Sequence, residues 1–307
     1  MAGNTPLFDE STRRKLEQLM LSAARVRAGA IKGDRRSNKR GSSIEFADYR
    51  NYTQGDDLRR LDWNVYARLD RPLIKVFEDE EDLATYLVID ASASMGASLN
   101  DDGDASPDAI EKADKFTWAR RLAAGLSYIS LISNDRLTVT ALGHETQTFG
   151  PVRGRGHSAR LLNFFGTMTT RGAIDLNASL RDFALRIKRP GLVIVISDLF
   201  SSSGFIDGVN MLMSKGCEVA VLHVLTPEEL EPSLGGDLRL VDVETGIAQE
   251  VSVDGGLRDL YVKRVTQWRD DLRAECSRRG VHYAPLSTDM PFERVILQDL
   301  RRMGILR

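Results

Sequence analysis

The chain has 307 residues, 42% of them hydrophobic and 28% charged, the composition of a globular rather than a disordered protein. Lys and Arg number 42 against 44 Asp and Glu, so no whole-molecule field recruits nucleic acid or an acidic membrane. Two cysteines, Cys217 and Cys276, without C-x-x-C spacing, exclude a disulfide scaffold and a cysteine zinc cluster.

The first sixteen residues, MAGNTPLFDESTRRKL, have no apolar stretch behind their charges, so no secretory signal is expected. No run approaches the ~18 apolar residues of a membrane span. A cytoplasmic location is the expectation. Leu16, Leu19, Met20, Ala23 and Val26 recur at helical spacing behind Asp9 and Ser11, which predicts a helix over 10–29. A basic arm follows: residues 25–40 carry seven Lys or Arg against the single acid Asp34, in a Gly/Ser-bearing stretch without apolar period. Residues 41–83 read as a small β-rich extension, short strands around a turn.

From Thr85 the pattern alternates. TYLVID predicts a buried strand, and the acidic segment 97–107 a loop. A long helix is expected over 109–133, with Phe116, Ala119, Leu122, Ala123, Leu126, Ile129 and Ile132 on one face. RLTVTALG and ETQTFGPV predict two strands turning at Gly143–His144, and 158–168 and 176–188 two helices. LVIVIS and EVAVLHVL predict buried strands around a helix over 203–214. A hairpin around Thr245–Gly246, a charged helix over 257–279, a strand at VHYAPL and a helix over 291–303 complete the chain. Continuous apolar strands alternating with helices predict a doubly wound, mostly parallel α/β sheet over 84–307, preceded by the helix and basic arm of 1–40 and the extension of 41–83. In such sheets ligands sit beyond the carboxyl ends of the strands, where strand order reverses.

The polar residues at those ends form a pattern. Asp90, Ser92 and Ser94 follow the first parallel strand, and Asp198 follows LVIVIS. Carboxylates and hydroxyls without histidine or cysteine make an all-oxygen site, the chemistry of magnesium rather than zinc. The alternative is that Asp90 and the serines cap the next helix.

Asp90-Ala91-Ser92-Ala93-Ser94-Met95 resembles the first motif of the metal-ion-dependent adhesion site of von Willebrand factor A domains, and Ile196-Ser197-Asp198 resembles the motif carrying that site's aspartate. Upstream, Glu45-Phe46, Tyr49-Arg50, Tyr52-x-x-Gly55-Asp56-Asp57-x-Arg59-Arg60-Leu61-Asp62-Trp63, Ala67-Arg68 and Phe77-Glu78-Asp79-Glu80 are similar to the signature of the bacterial family catalogued as domain of unknown function 58. That family sets this signature before a von Willebrand A-like domain. The resemblance implies a non-enzymatic interaction module with a magnesium site at Asp90, Ser92, Ser94 and Asp198. It also implies a partnership with an AAA ATPase of the MoxR type and a client protein, in complex assembly or chaperone-like remodelling. One position departs from the family pattern. Ile174 stands where the site's threonine ligand is usual and cannot ligate, leaving Thr169, Thr170 or Asp175 as substitutes.

Three other features carry competing expectations. Ser94, Asp198 and His223 occur in the order of an α/β-hydrolase nucleophile, acid and histidine. Ser92, however, replaces the first elbow glycine, and His223 falls inside a predicted strand. The basic arm 25–40 is the candidate nucleic-acid contact, without interleaved aromatics for base stacking. Gly55, Asp56, Asp57, Arg59, Arg60, Asp62 and Trp63 form either a partner surface or an internally paired cluster whose Trp63 docks the extension.

Overall fold

The computed structural model describes residues 14–21, 44–53, 56–79, 83–96, 114–233, 235–244 and 246–306. Two compact units emerge, one of Gly29–Asp82 and one of Met1–Ala28 with Leu83–Arg307.

In the smaller unit, β1 (Ile44–Asn51) pairs antiparallel with β2 (Leu73–Asp79), with a register shift between Phe46 and Asp48. The connection holds a 3-10 turn, Leu58–Arg60, and helix α1, Trp63–Leu69. The helix corrects the expectation of strands alone. Asp62 starts it by accepting hydrogen bonds from the amides of Asn64 and Val65 at 3.0 and 3.2 Å, the N-cap role of an aspartate.

The larger unit is built on a six-stranded sheet. Its strands are β3 (Ala84–Asp90), β4 (Arg136–Leu142), β5 (Gln147–Val152), β6 (Leu192–Ser197), β7 (Glu218–Leu225) and β10 (His282–Ser287), in the order β10-β7-β6-β3-β4-β5. All neighbours are parallel except β4 and β5, which form the expected hairpin. The chain leaves β3 toward β4 and β5, then returns to β6 on the other side. The order therefore reverses between β3 and β6, and a ligand crevice belongs at their carboxyl ends.

Both faces of the sheet are covered, as the unbroken apolar strands require. Alternate residues divide between two cores: Leu87, Ile89, Ile194 and Ile196 face one, Val88, Val193 and Val195 the other. The first is closed by α2 (Lys115–Ile132), α3 (Ser158–Thr167) and the C-terminal helical segment. The second is closed by α4 (Leu176–Arg186), α5 (Ile206–Ser214) and α6 (Gly255–Arg279). A separate antiparallel pair, β8 (Gly236–Val241) and β9 (Ala248–Val253), forms the hairpin expected between β7 and α6. Cys217 and Cys276 are buried free thiols.

Two helical expectations are corrected. Where described, the N-terminal helix ends after residue 16, turns, and places Leu21 in a bridge with Leu306. Leu16, Leu19 and Leu21 all enter the first core, and a straight helix would carry the third away from it, so burial overrides propensity. The final helix widens into a π segment at Val295–Asp299 between short α turns, keeping Val295, Ile296 and Leu300 on the core.

Candidate functional site

Asp90 is the last residue of β3 and Asp198 the first after β6, so pairing of these strands brings both carboxylates to the crevice. Both are buried. Asp90 Oδ1 accepts from the Ser92 amide at 2.9 Å and Oδ2 from the Ser197 hydroxyl at 2.6 Å. The hydroxyls of Ser92 and Ser94 bond each other at 2.9 Å. Burial, and then the Asp198 charge, push the Asp90 carboxyl up to about 6 against the hydrogen bonds of Ser197 and Ser92.

The loop before α4 clamps this turn. The Ala93 amide donates to the Gly172 carbonyl at 2.8 Å, and the Arg171 amide to the Ala91 carbonyl at 3.0 Å. Thr170 lies so close to Gly96 that a Cβ there would come within 2.2 Å of its Oγ1. Ile174 packs against the second core. Asp175 is engaged away from the serines, accepting from the Ala178 amide and the Ser203 hydroxyl at 2.9 and 2.6 Å.

Asp198 has a partner that sequence reasoning missed. Lys115, 1% exposed, donates to Asp198 Oδ2 at 2.8 Å and to Glu229 Oε1 at 2.6 Å. It is the first residue of α2, behind the N-cap Asp114, where the helix dipole disfavours a cation. Burial alone would lower its pKa, but the charges and hydrogen bonds of Asp198 and Glu229 outweigh burial and hold it above the usual lysine value. Glu229 is fixed in turn by a capping box with Thr226 directly after β7. A lysine at the first position of an apolar helix is the sequence signal for this ion pair.

A magnesium ion needs about six oxygen ligands at short range, and the groups as arranged do not fit one. Asp198 accepts from Lys115 on one oxygen and from the Phe200 amide on the other. Both oxygens of Asp90 accept from protein donors, the two serines bond each other, and Ile174 supplies no ligand. Among the described residues no group of three His, Cys, Asp or Glu could hold a metal ion.

The hydrolase set is likewise engaged elsewhere. His223 Nδ1 pairs with the Tyr283 hydroxyl at 2.6 Å inside β7, and burial, followed by the charge of Arg269, lowers its pKa to about 3.

In the smaller unit, Asp56 forms a two-pronged pair with Arg50 at 2.6 and 2.7 Å, which holds its carboxyl well below the usual range. Asp57 caps the 3-10 turn and Asp62 caps α1 while accepting from the Tyr49 hydroxyl at 2.8 Å. Trp63 meets Tyr66 of the same helix edge-on. Gly55, the side chain of Arg60, the basic arm 25–40 and the acidic loop 97–107 lie outside the described residues.

A doubly wound sheet with an Asp-x-Ser-x-Ser turn at its switch point defines an α/β domain of the von Willebrand A-like kind, here with β-rich additions. The chain belongs to the family described as "Protein of unknown function DUF58", whose model matches residues 48–271. An uncharacterized protein of Mycobacterium tuberculosis, Rv1480, is 29% identical over 95% of this chain and 90% of its own. Another, from Mycobacterium avium, is 26% identical over 51% of this chain and 95% of its own. Among solved structures, BatB from Bacteroides thetaiotaomicron aligns with a TM-score of 0.42 and 15% identity, covering 72% of this chain and 98% of that one. An aerotolerance-related membrane protein from Bacteroides fragilis aligns with a TM-score of 0.43 and 16% identity, covering 72% and 99%. Among the described residues no helix is long and apolar enough to cross a membrane.

Proposed function

We propose that this chain is a non-catalytic, cytoplasmic protein-interaction module that offers the carboxyl edge of its sheet to a partner. It works with an AAA ATPase of the MoxR type, and with a client protein, in complex assembly or chaperone-like remodelling. The observation that carries the reading is the Asp90–Ser92–Ser94 turn at the switch point, held by internal hydrogen bonds and with Ser94 and His223 each bonded to other groups. Membership of a family built around such a domain supports it.

Docking on this edge needs no resident metal, because Lys115 already supplies the positive charge on Asp198. Calorimetric titration of the free chain with magnesium chloride is therefore expected to give no saturable heat at millimolar metal. Saturable binding that disappears in Asp90→Ala would contradict this. The partnership itself is tested by titrating a purified MoxR-type AAA ATPase with this chain. A saturable complex is expected with Kd near ~1 μM, about −8 kcal/mol. No complex at ~100 μM, about −5.5 kcal/mol, would overturn it.

A further inference from the structure

A groove opens on the second face of the sheet, in its amino half. On β4, Leu137, Val139 and Ala141 enter the first core, so the alternate residues Arg136, Thr138 and Thr140 face the other side. There Tyr86 lies edge-on to Phe183 of α4 at 5.9 Å, and Thr140 meets Thr148 of β5, hydroxyl to hydroxyl at 3.3 Å. With the segment 186–189 these residues line a groove of about 420 Å³, the size of a small-molecule site.

Its charge is one-sided. Arg136, Arg186, Lys188 and Arg189 line it and no carboxylate does, in a chain of net charge −2. Among the described residues none of the four is in an ion pair, whereas Arg155 and Arg279 each find a glutamate. Arg186 closes α4 and offsets its carbonyl end, which leaves three cations for a ligand. Hydroxyl donors are left over as well. Among the described residues the Thr138 hydroxyl makes no hydrogen bond. In the Thr140–Thr148 pair only one of the two O–H groups is used, so the other is free to donate. Thr140 is 2% exposed, which fixes this pair as part of the floor.

We propose that the groove binds a small polyphosphorylated ligand of nucleotide size. Arg136, Lys188 and Arg189 neutralise its phosphates, to which guanidinium forks are suited. The threonine hydroxyls donate to the phosphate oxygens, and the apolar wall of Tyr86, Phe183, Ile187 and Pro151 takes the uncharged body. A single carboxylate would leave most of this positive charge unanswered. An added peptide strand fits less well, because the free edge β5 is six residues long and broken by Pro151, which offers no amide. The site lies away from the Asp90–Ser94 turn and does not depend on docking there.

Calorimetric titration of the full chain alone, at 0.15 M salt, tests it with ADP, with adenosine and with a single-stranded oligonucleotide. Saturable binding of ADP is expected, with Kd of about 10–100 μM, and none of adenosine. Each hydrogen bond to a charged oxygen is worth about tenfold or more in affinity, so Arg136→Met and Thr138→Val should each weaken ADP binding by at least that factor. The methionine keeps an apolar stem and the valine suits a strand, so both variants should unfold at the wild-type temperature. Arg264→Met, on the exposed face of α6, should leave ADP binding within about twofold. No saturable heat from ADP at ~1 mM, ADP binding unchanged in both groove variants, or heat from the oligonucleotide but not from ADP would overturn the proposal.

Discussion

Lys115→Met is expected to destabilise the fold by about 3–5 kcal/mol, the cost of removing one partner from a buried ion pair. The lysine and Asp198 are each 1% exposed, so the substitution leaves Asp198 charged, buried and short of one hydrogen bond. Thermal unfolding should shift down by roughly 10 °C for a unit of this size. Glu229, with a 16% exposed side chain, can be hydrated in part and contributes less to the loss. Adding Asp198→Asn removes the stranded charge and should recover a large part of the stability. A shift below ~2 °C in the single variant, or no recovery in the double one, would contradict the assignment of Lys115 as the internal counter-ion.

The acid side of the stability profile should show two buried groups working against each other. His223 has a folded pKa of about 3 against the ordinary 6.5. Its contribution is complete above pH 6.5 and is lost as the pH falls toward 3, because the unfolded chain takes up the proton first. At pH 5 that loss is about 2 kcal/mol. Asp90 has a folded pKa of about 6 against 3.8. Its contribution is present below 3.8 and is lost as the pH rises through 6, so lowering the pH from 7 to 5 returns roughly 1 kcal/mol. The two oppose each other in the wild type. His223→Gln should gain stability between pH 7 and pH 5 relative to wild type, and Asp90→Asn should lose it, with slopes separated by about 3 kcal/mol over that interval. Urea unfolding at pH 5, 6 and 7 measures this. Parallel pH dependence in all three proteins would contradict the burial of both groups.

Most of the α/β framework was legible because its signals are continuous. TYLVID, LVIVIS and EVAVLHVL are too apolar to be anything but strands covered on both faces, and they are β3, β6 and β7. Helix α1 was not legible: it buries no side chain, so it leaves no apolar period, and Trp63, Val65 and Tyr66 read as β-formers. The N-terminal residues had a helical period, yet the bridge to Leu306 and burial of Leu21 are tertiary facts the local spacing does not contain. At the site, Asp90, Ser92, Ser94 and Asp198 were visible because they stand at or just beyond the end of a recognisable strand. Lys115 carried a weak signal at the head of α2.

The most direct test of the docking face is the ATPase titration repeated with substitutions at opposite ends of the sheet. Ser94→Arg fills the carboxyl edge, whereas Lys188→Glu alters the exposed loop before β6, at the amino edge. The account predicts that Ser94→Arg weakens the complex by at least ~30-fold, about 2 kcal/mol, as a central contact would, and that Lys188→Glu leaves it within about twofold of wild type, under 0.5 kcal/mol. Equal affinity for all three proteins, or a loss confined to Lys188→Glu, would contradict it.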